Sequence, residues 1–209
     1  MRKGERIGQI ARDCVHFRGD RPCVPHLKEG FTCRCPVYCP QSAKILIIQL
    51  SSAETVTLSG AVVRRLKAVD PNSRICYLTC HPQQVPAEAD EVWNLDAAQI
   101  QRLQVDHFDT VYNLDLDPRA CAIMNMVPAE TKKGFYLRQG FPSPVDEDGQ
   151  SIYLRRLMPR SYEPDSDPVR ELFQVCGLEY RGEPASEKIA GEIKLNAGRE
   201  KHYQGFSSK

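Results

Sequence analysis

The most regular hydrophobic pattern in the chain lies between Lys44 and Thr79. Ile45-Leu46-Ile47-Ile48 is short, rich in β-branched residues and without alternation, as in a strand covered on both faces in a parallel sheet. Leu58, Ala61, Val62, Leu66 and Val69 then recur at three- and four-residue intervals. That spacing predicts a helix with one buried stripe, leaving Arg64, Arg65 and Lys67 in water. Asp70-Pro71-Asn72 stops the helix, and Arg74 to Thr79 reads as the next strand. The unit is therefore βαβ, with a right-handed crossover expected.

The alternation continues. Asp90 to Leu95 reads as a short strand, Ala97 to Val105 as a helix carrying Ile100, Leu103 and Gln104, and Phe108 to Leu114 as another buried strand. Asp117 is placed to cap a following helix, with Pro118 at its first position and its end near Met126. Phe135 to Gly149 has little periodicity and reads as a long loop. Three strand–helix alternations predict an α/β fold with a Rossmann-like, doubly wound parallel sheet.

Composition adds limits more than identity. A chain of 209 residues can bury one good core and a small appendage. A formal charge of +1 provides no general attraction to nucleic acid, so no nucleic-acid partner is expected. The first forty residues are more basic, with eight Lys/Arg against four Asp/Glu. Arg12, Arg18, Arg21, Lys28 and Arg34 suit a solvated surface, or at most peripheral contact with anionic lipid. No stretch has the roughly 20 apolar residues that span a bilayer, and no signal-type apolar segment opens the chain. A cytoplasmic location is the expectation.

Nine cysteines are many for this length, and five of them, Cys14, Cys23, Cys33, Cys35 and Cys39, fall in the first forty residues. In a reducing compartment such crowding points to metal ligation before disulfides. Residues 1–42 are read as a Cys-rich arm in which Cys14, Cys23, Cys33 and Cys35 are the candidate ligands. Zinc would supply stability that so few apolar residues cannot. The spacing departs from paired Cys-x2-Cys knuckles, since Cys33 and Cys35 are one residue apart and Cys14 and Cys23 are far apart. Zinc is expected ahead of an iron–sulfur cluster, as no redox partner motif is visible, and no organic cofactor is expected. The alternative is a reduced, loosely ordered arm; a disulfide framework would require export.

Four motifs in order carry a resemblance: Cys-x-His-Phe-Arg-Gly-Asp-Arg-Pro-Cys-x-Pro-His at 14–26, Lys44 to Lys67, Asn113-Leu-Asp-Leu-Asp-Pro-Arg-Ala120, and Lys132-Lys133-Gly134-Phe135. Together with Glu171 to Gly182 they resemble glycosyltransferase family 9, the bacterial lipopolysaccharide heptosyltransferase relatives, in members with a cysteine-rich N-terminal extension. The resemblance covers residues 14 to about 182. It implies two Rossmann domains, the N-terminal one receiving the acceptor sugar and the C-terminal one holding a nucleotide-sugar donor such as ADP-heptose. On that reading residues 43–182 are the N-terminal, acceptor-type half, and 183–209 a weakly structured tail with one short helix near Ser186 to Leu195, where a second Rossmann domain would be expected.

The family's turn after the first strand reads Gly-x-x-Gly-Asp, its aspartate being the proposed general base. Here the turn is Leu50-Ser51-Ser52-Ala53-Glu54-Thr55-Val56, which puts Thr55 in the place of the base. A positioned carboxylate contributes about 10²–10⁴-fold by proton transfer, and threonine cannot replace it near neutral pH. Glu54 is one residue away and aimed differently by the turn. Its alternative role is to open the helix beside Thr55, at the positive end of the dipole. Ser51, Ser52, Asp115, Asp117 and Arg119 are the candidate acceptor-binding residues, the last three just past a strand's carboxyl end. Capping by Asp117 and a solvated Arg119 account for the same residues. His81 shares that rim as a loop histidine. The expected function is that of a degenerate or truncated family 9 protein that binds a sugar or glycolipid acceptor without independent catalysis. Two alternatives are an active subunit using Glu54 with a separate donor-domain chain, and a metal-stabilised interaction module.

Overall fold

The computed structural model describes residues 10–158 and 167–185. After a short helix α1 (Val24–Glu29), strands β1 (Lys44–Ile48), β2 (Arg74–Thr79), β3 (Glu91–Asn94), β4 (Phe108–Asn113), β5 (Ala129–Arg138) and β6 (Phe141–Pro144) form one sheet. Its order is β3-β2-β1-β4-β5-β6. The first five strands are parallel, and β6 closes the edge antiparallel to β5. Helices α2 (Ala53–Val69), α3 (Ala97–Val105), α4 (Pro118–Met126), α5 (Glu147–Leu157) and α6 (Pro168–Val175) complete the fold.

Successive side chains of a strand point to opposite faces, and β1 feeds two cores in this way. Ile45 and Ile47 join Ile75, Tyr77, Leu114 and Phe135 beneath α2, α5 and α6. Leu46 and Ile48 join Cys76, Leu78, Trp93 and Val111 beneath α3 and α4. Both faces are covered, which is why the run 45–48 shows no alternation. This is the Rossmann-like α/β sheet expected from the sequence.

Helix α2 departs from its predicted stripe at both ends of the polarity scale. Val69 is 74% exposed, whereas Ser59, Gly60 and Val63 are buried. The three basic residues are not left in water. Arg65 pairs with Glu183, Arg64 donates to the carbonyls of Pro184 (2.7 Å) and Ala185 (3.1 Å), and Lys67 pairs with Asp90. Residues 183–185 thus lie along α2, a contact that helix periodicity does not encode. The helix expected near Ser186 to Leu195 lies outside the described residues.

The segment Phe135 to Gly149 is a correction. It holds the end of β5, all of β6 and the start of α5. Pro142 and Pro144 disguised β6, yet an edge strand paired on one side tolerates missing N–H donors. Gly134 in β5 has φ +103°, and a Cβ there would lie 1.9 Å from the Asn113 carbonyl oxygen across the ladder. Only glycine allows β4 and β5 to approach so closely.

Candidate functional site

The strand order reverses between β1 and β4, and open α/β sheets place ligands in the crevice past the carboxyl ends at such a point. The residues there are the loop 49–52, the first turn of α2, and the segment 113–119. Gln49 and Asn113, both buried, are not among the site residues expected from the sequence, although Asn113 opens one of the motifs. Each is a polar residue closing an apolar strand, and that was the available signal.

Asp115 ties the two strand ends together. Its Oδ2 accepts from the backbone N–H of Leu50 (2.9 Å) and Ser51 (2.7 Å) and from Gln49 Nε2 (3.2 Å), and its Oδ1 accepts from Asp117 N (3.0 Å). Asn113 adds a second brace. Its Nδ2 donates to the Phe135 carbonyl at 2.7 Å and its Oδ1 accepts from Asp115 N at 3.0 Å. With only 5% of its surface exposed, Asp115 serves as a clamp on the turn.

Ser51, Ser52 and Thr55 gather around the same turn. Gln49 Nε2 lies 3.2 Å from both Ser51 Oγ and Thr55 Oγ1. Ser52 caps α2 by accepting from Thr55 N, while Thr55 Oγ1 reaches the Ser52 carbonyl at 2.9 Å. Thr55 therefore occupies the third helical position as part of the cap. Glu54 is exposed at the second position, next to the helix's positive end, and makes no hydrogen bond or ion pair among the described residues.

Asp117 caps α4 through Arg119 N (2.8 Å) and holds the Arg119 guanidinium through Nε and Nη2 (2.7 Å). The hydrogen bond from Arg119 holds the Asp117 carboxyl below its usual range, and the same pairing raises Arg119. Arg119 keeps most of its side chain in water. His81 closes the rim at β2, its N–H donating to Thr79 Oγ1 at 3.0 Å. The buried thiols of Cys76 and Cys121 are pushed up to about 12 by burial, so neither is a nucleophile near neutral pH.

The Cys-rich arm sits at the other end of the sheet. Cys39 Sγ donates to Asn72 Oδ1 (3.2 Å), Arg74 Nη1 donates to the Phe17 carbonyl (3.0 Å), and Ser42 Oγ donates to Asp70 Oδ2 (2.5 Å). These partners flank the amino end of β2, whereas the crevice lies past the carboxyl ends. Five or six strand residues separate the two regions, roughly 15–20 Å at about 3.3 Å per residue. Cys14, Cys23, Cys33 and Cys35 line one cavity of about 500 Å³ with His16 and His26. Among the described residues, no three His, Cys, Asp or Glu side chains converge as they would on a single ion.

No family model matches the sequence, and no curated protein matches it. Solved structures do. A glycosyl transferase family 9 protein from Veillonella parvula DSM 2008 matches with a TM-score of 0.41 and 16% identity, over 48% of this chain and 33% of that one. E. coli heptosyltransferase WaaC with ADP matches with a TM-score of 0.40 and 14% identity, over 59% and 49%. The same enzyme with ADP-2-deoxy-2-fluoro heptose gives 0.37 and 14%, over 62% and 53%. The chain spans about a third to a half of the length of these proteins. Among the described residues no helix is long and apolar enough to cross a membrane.

Proposed function

We propose that this chain is a heptosyltransferase-like, acceptor-side unit that binds a sugar or glycolipid in the switch-point crevice and does not transfer sugar by itself. The observation that carries the reading is how the groups at the crevice are used. The hydroxyls of Ser51 and Ser52 and the carboxamide of Gln49 gather at the α2 N-terminus, while Asp115 is consumed as a clamp and Asp117 by Arg119. Hydroxyls and amides suit recognition of a polyol. Thr55, where the family resemblance places the base, is committed to the helix cap and has no basicity to offer. Heptose is the sugar implied by the motifs quoted above, and the cytoplasmic face of a bacterial envelope is where such an acceptor would be met.

A second reading rests on Glu54, whose carboxylate is exposed and unpaired among the described residues at the helix's positive end. It makes the chain an active subunit that draws on a donor domain supplied by a separate chain. One experiment tests both. The purified chain is titrated with heptose and with ADP-heptose while nucleotide release is followed. Heptose binding that weakens several-fold in Ser51→Ala, with no nucleotide release, supports the binding unit. Release or transfer that disappears in Glu54→Gln would replace it with the enzyme.

A further inference from the structure

We propose that Cys14, Cys23, Cys33 and Cys35 bind a thiolate-ligated metal centre, zinc or an iron–sulfur cluster, that organises the arm at the amino end of the sheet. The first support is what the arm lacks. Between residues 10 and 42 Cys14 is the single buried residue, and α1 buries none of its six. Ile10, Val24, Leu27 and Val37 are exposed by 43–66%. Yet the arm is folded back on itself: Cys14 bridges Pro40, Tyr38 donates to Asp13, and Gln41 N donates to the Asp13 carbonyl. A segment of this length without apolar burial has little to offset its ordering entropy, and a structural metal supplies such stability outright.

The second support is the distribution of the thiols. Of the five cysteines in the arm, four line the 500 Å³ cavity. The fifth, Cys39, is turned to Asn72 instead. Cys23 occupies the N-cap position of α1, but its side chain makes no capping bond. Arg34, between Cys33 and Cys35, has φ +63°, a left-handed conformation uncommon for a residue with a side chain. That conformation is a cost retained in a short surface loop, and bringing two thiols one residue apart to a common ligand gives it a reason.

The third support is His26 on the same cavity. Its Nδ1 lies 2.7 Å from the Phe31 carbonyl. A carbonyl oxygen only accepts, so Nδ1 carries a proton, and this fixes Nε2 as the nitrogen that can face a metal, the arrangement in which the other ring nitrogen of a metal-binding histidine donates to a carbonyl. The four thiols surround a space and do not meet at a point. Zinc would need them drawn in to about 2.3 Å, whereas a cluster is held by cysteines set around a larger body. Zinc, or an intact preformed cluster, is taken up by ligand exchange onto the thiolates, which releases protons and needs no redox step.

The test uses the full chain, purified both under air and anaerobically. Zinc, iron and acid-labile sulfide are measured, with visible absorption recorded. A stoichiometric centre is expected: zinc without colour identifies the ion, and iron with sulfide and a broad visible band identifies the cluster. Cys23→Ser and Cys35→Ser should each lose most of the metal, while Cys39→Ser keeps it. Should a variant fold poorly, the wild-type chain provides a separate readout. Stripping the metal with a chelator should expose four additional thiols to a thiol reagent and speed proteolysis within residues 10–42, leaving the sheet protected. The proposal is overturned if both preparations are metal-free. It is equally overturned if the folded cysteine variants hold as much metal as wild type, or if the chelator changes neither thiol reactivity nor cleavage.

Discussion

Replacing Gly134 by alanine tests the joint that builds the crevice. The new Cβ would lie 1.9 Å from the Asn113 carbonyl oxygen, 2.8 Å from its carbon and 3.3 Å from its nitrogen, with φ at +103°. The contacted atoms are backbone in a central strand, so rotation of a side chain cannot relieve the overlap. An unfavourable backbone conformation costs on the order of 1–3 kcal/mol. Moving β5 away from β4 also weakens the neighbouring ladder bonds and the Asn113 Nδ2 to Phe135 bond, at about 0.5–1.5 kcal/mol each. A total of about 3–5 kcal/mol follows from these two contributions. For a chain of this size that corresponds to a fall of roughly 6–20 °C in Tm. Urea unfolding followed by Trp93, the single tryptophan, measures it. Gly140→Ala is the control, since its φ is +85° but among the described residues no atom lies within 4 Å of the added carbon; it should cost only about 1–2 kcal/mol, the backbone part alone. If Gly134→Ala is no more destabilising than Gly140→Ala, the close approach of β4 and β5 is not what fixes this glycine.

Three other outcomes are expected. Asp115→Ala leaves the buried Leu50 N–H without an acceptor, while the exposed Ser51 can turn to water, so a loss of about 2–4 kcal/mol is expected by denaturant titration. Because Arg119 lowers the Asp117 carboxyl, that pairing stabilises the fold above the usual carboxylate range, and the stability is lost as pH falls through the lowered value. Unfolding midpoints between pH 6 and 3 should therefore fall less steeply in Arg119→Ala than in wild type. Burial alone would raise Glu91, but Arg74, with its hydrogen bond, and Trp93 Nε1 outweigh it and hold the carboxyl low. Glu91→Gln should loosen Arg74, and with it the Phe17 carbonyl, giving faster proteolysis of the arm with the sheet still intact.

The sequence made the doubly wound core legible because its strands are buried on both faces. Ile45 to Ile48 and Arg74 to Thr79 carry that message in composition alone, and Asp117 marks a helix start by cap chemistry; Ser52, read as an acceptor-binding residue, and Asp96 show their capping roles only in the structure. What was not legible depends on partners distant in the chain. Arg64 and Arg65 are held by residues 183–185, which helix periodicity cannot anticipate. Strand β6 is specified by its pairing to β5 and carries two prolines, so neither alternation nor propensity announces it. At the crevice, Ser51, Ser52 and Asp115 were visible as polar residues after strands. Asp115's use as a clamp required knowing that β1 and β4 are neighbours, and Gln49 and Asn113 were masked by the apolar runs they close.

Arg74 gives the molecule a one-way mechanical link. Its guanidinium holds Glu91 on one side and the Phe17 carbonyl on the other, so the arm leans on a residue that the sheet positions for its own reasons. Damage to the arm need not reach the sheet, because Glu91 retains Arg102 and Trp93 as partners. Damage at the β2–β3 edge reaches the arm at once. A thiol-directed reagent should thus report on sheet integrity from a distance, its rate at the arm rising before the core itself unfolds.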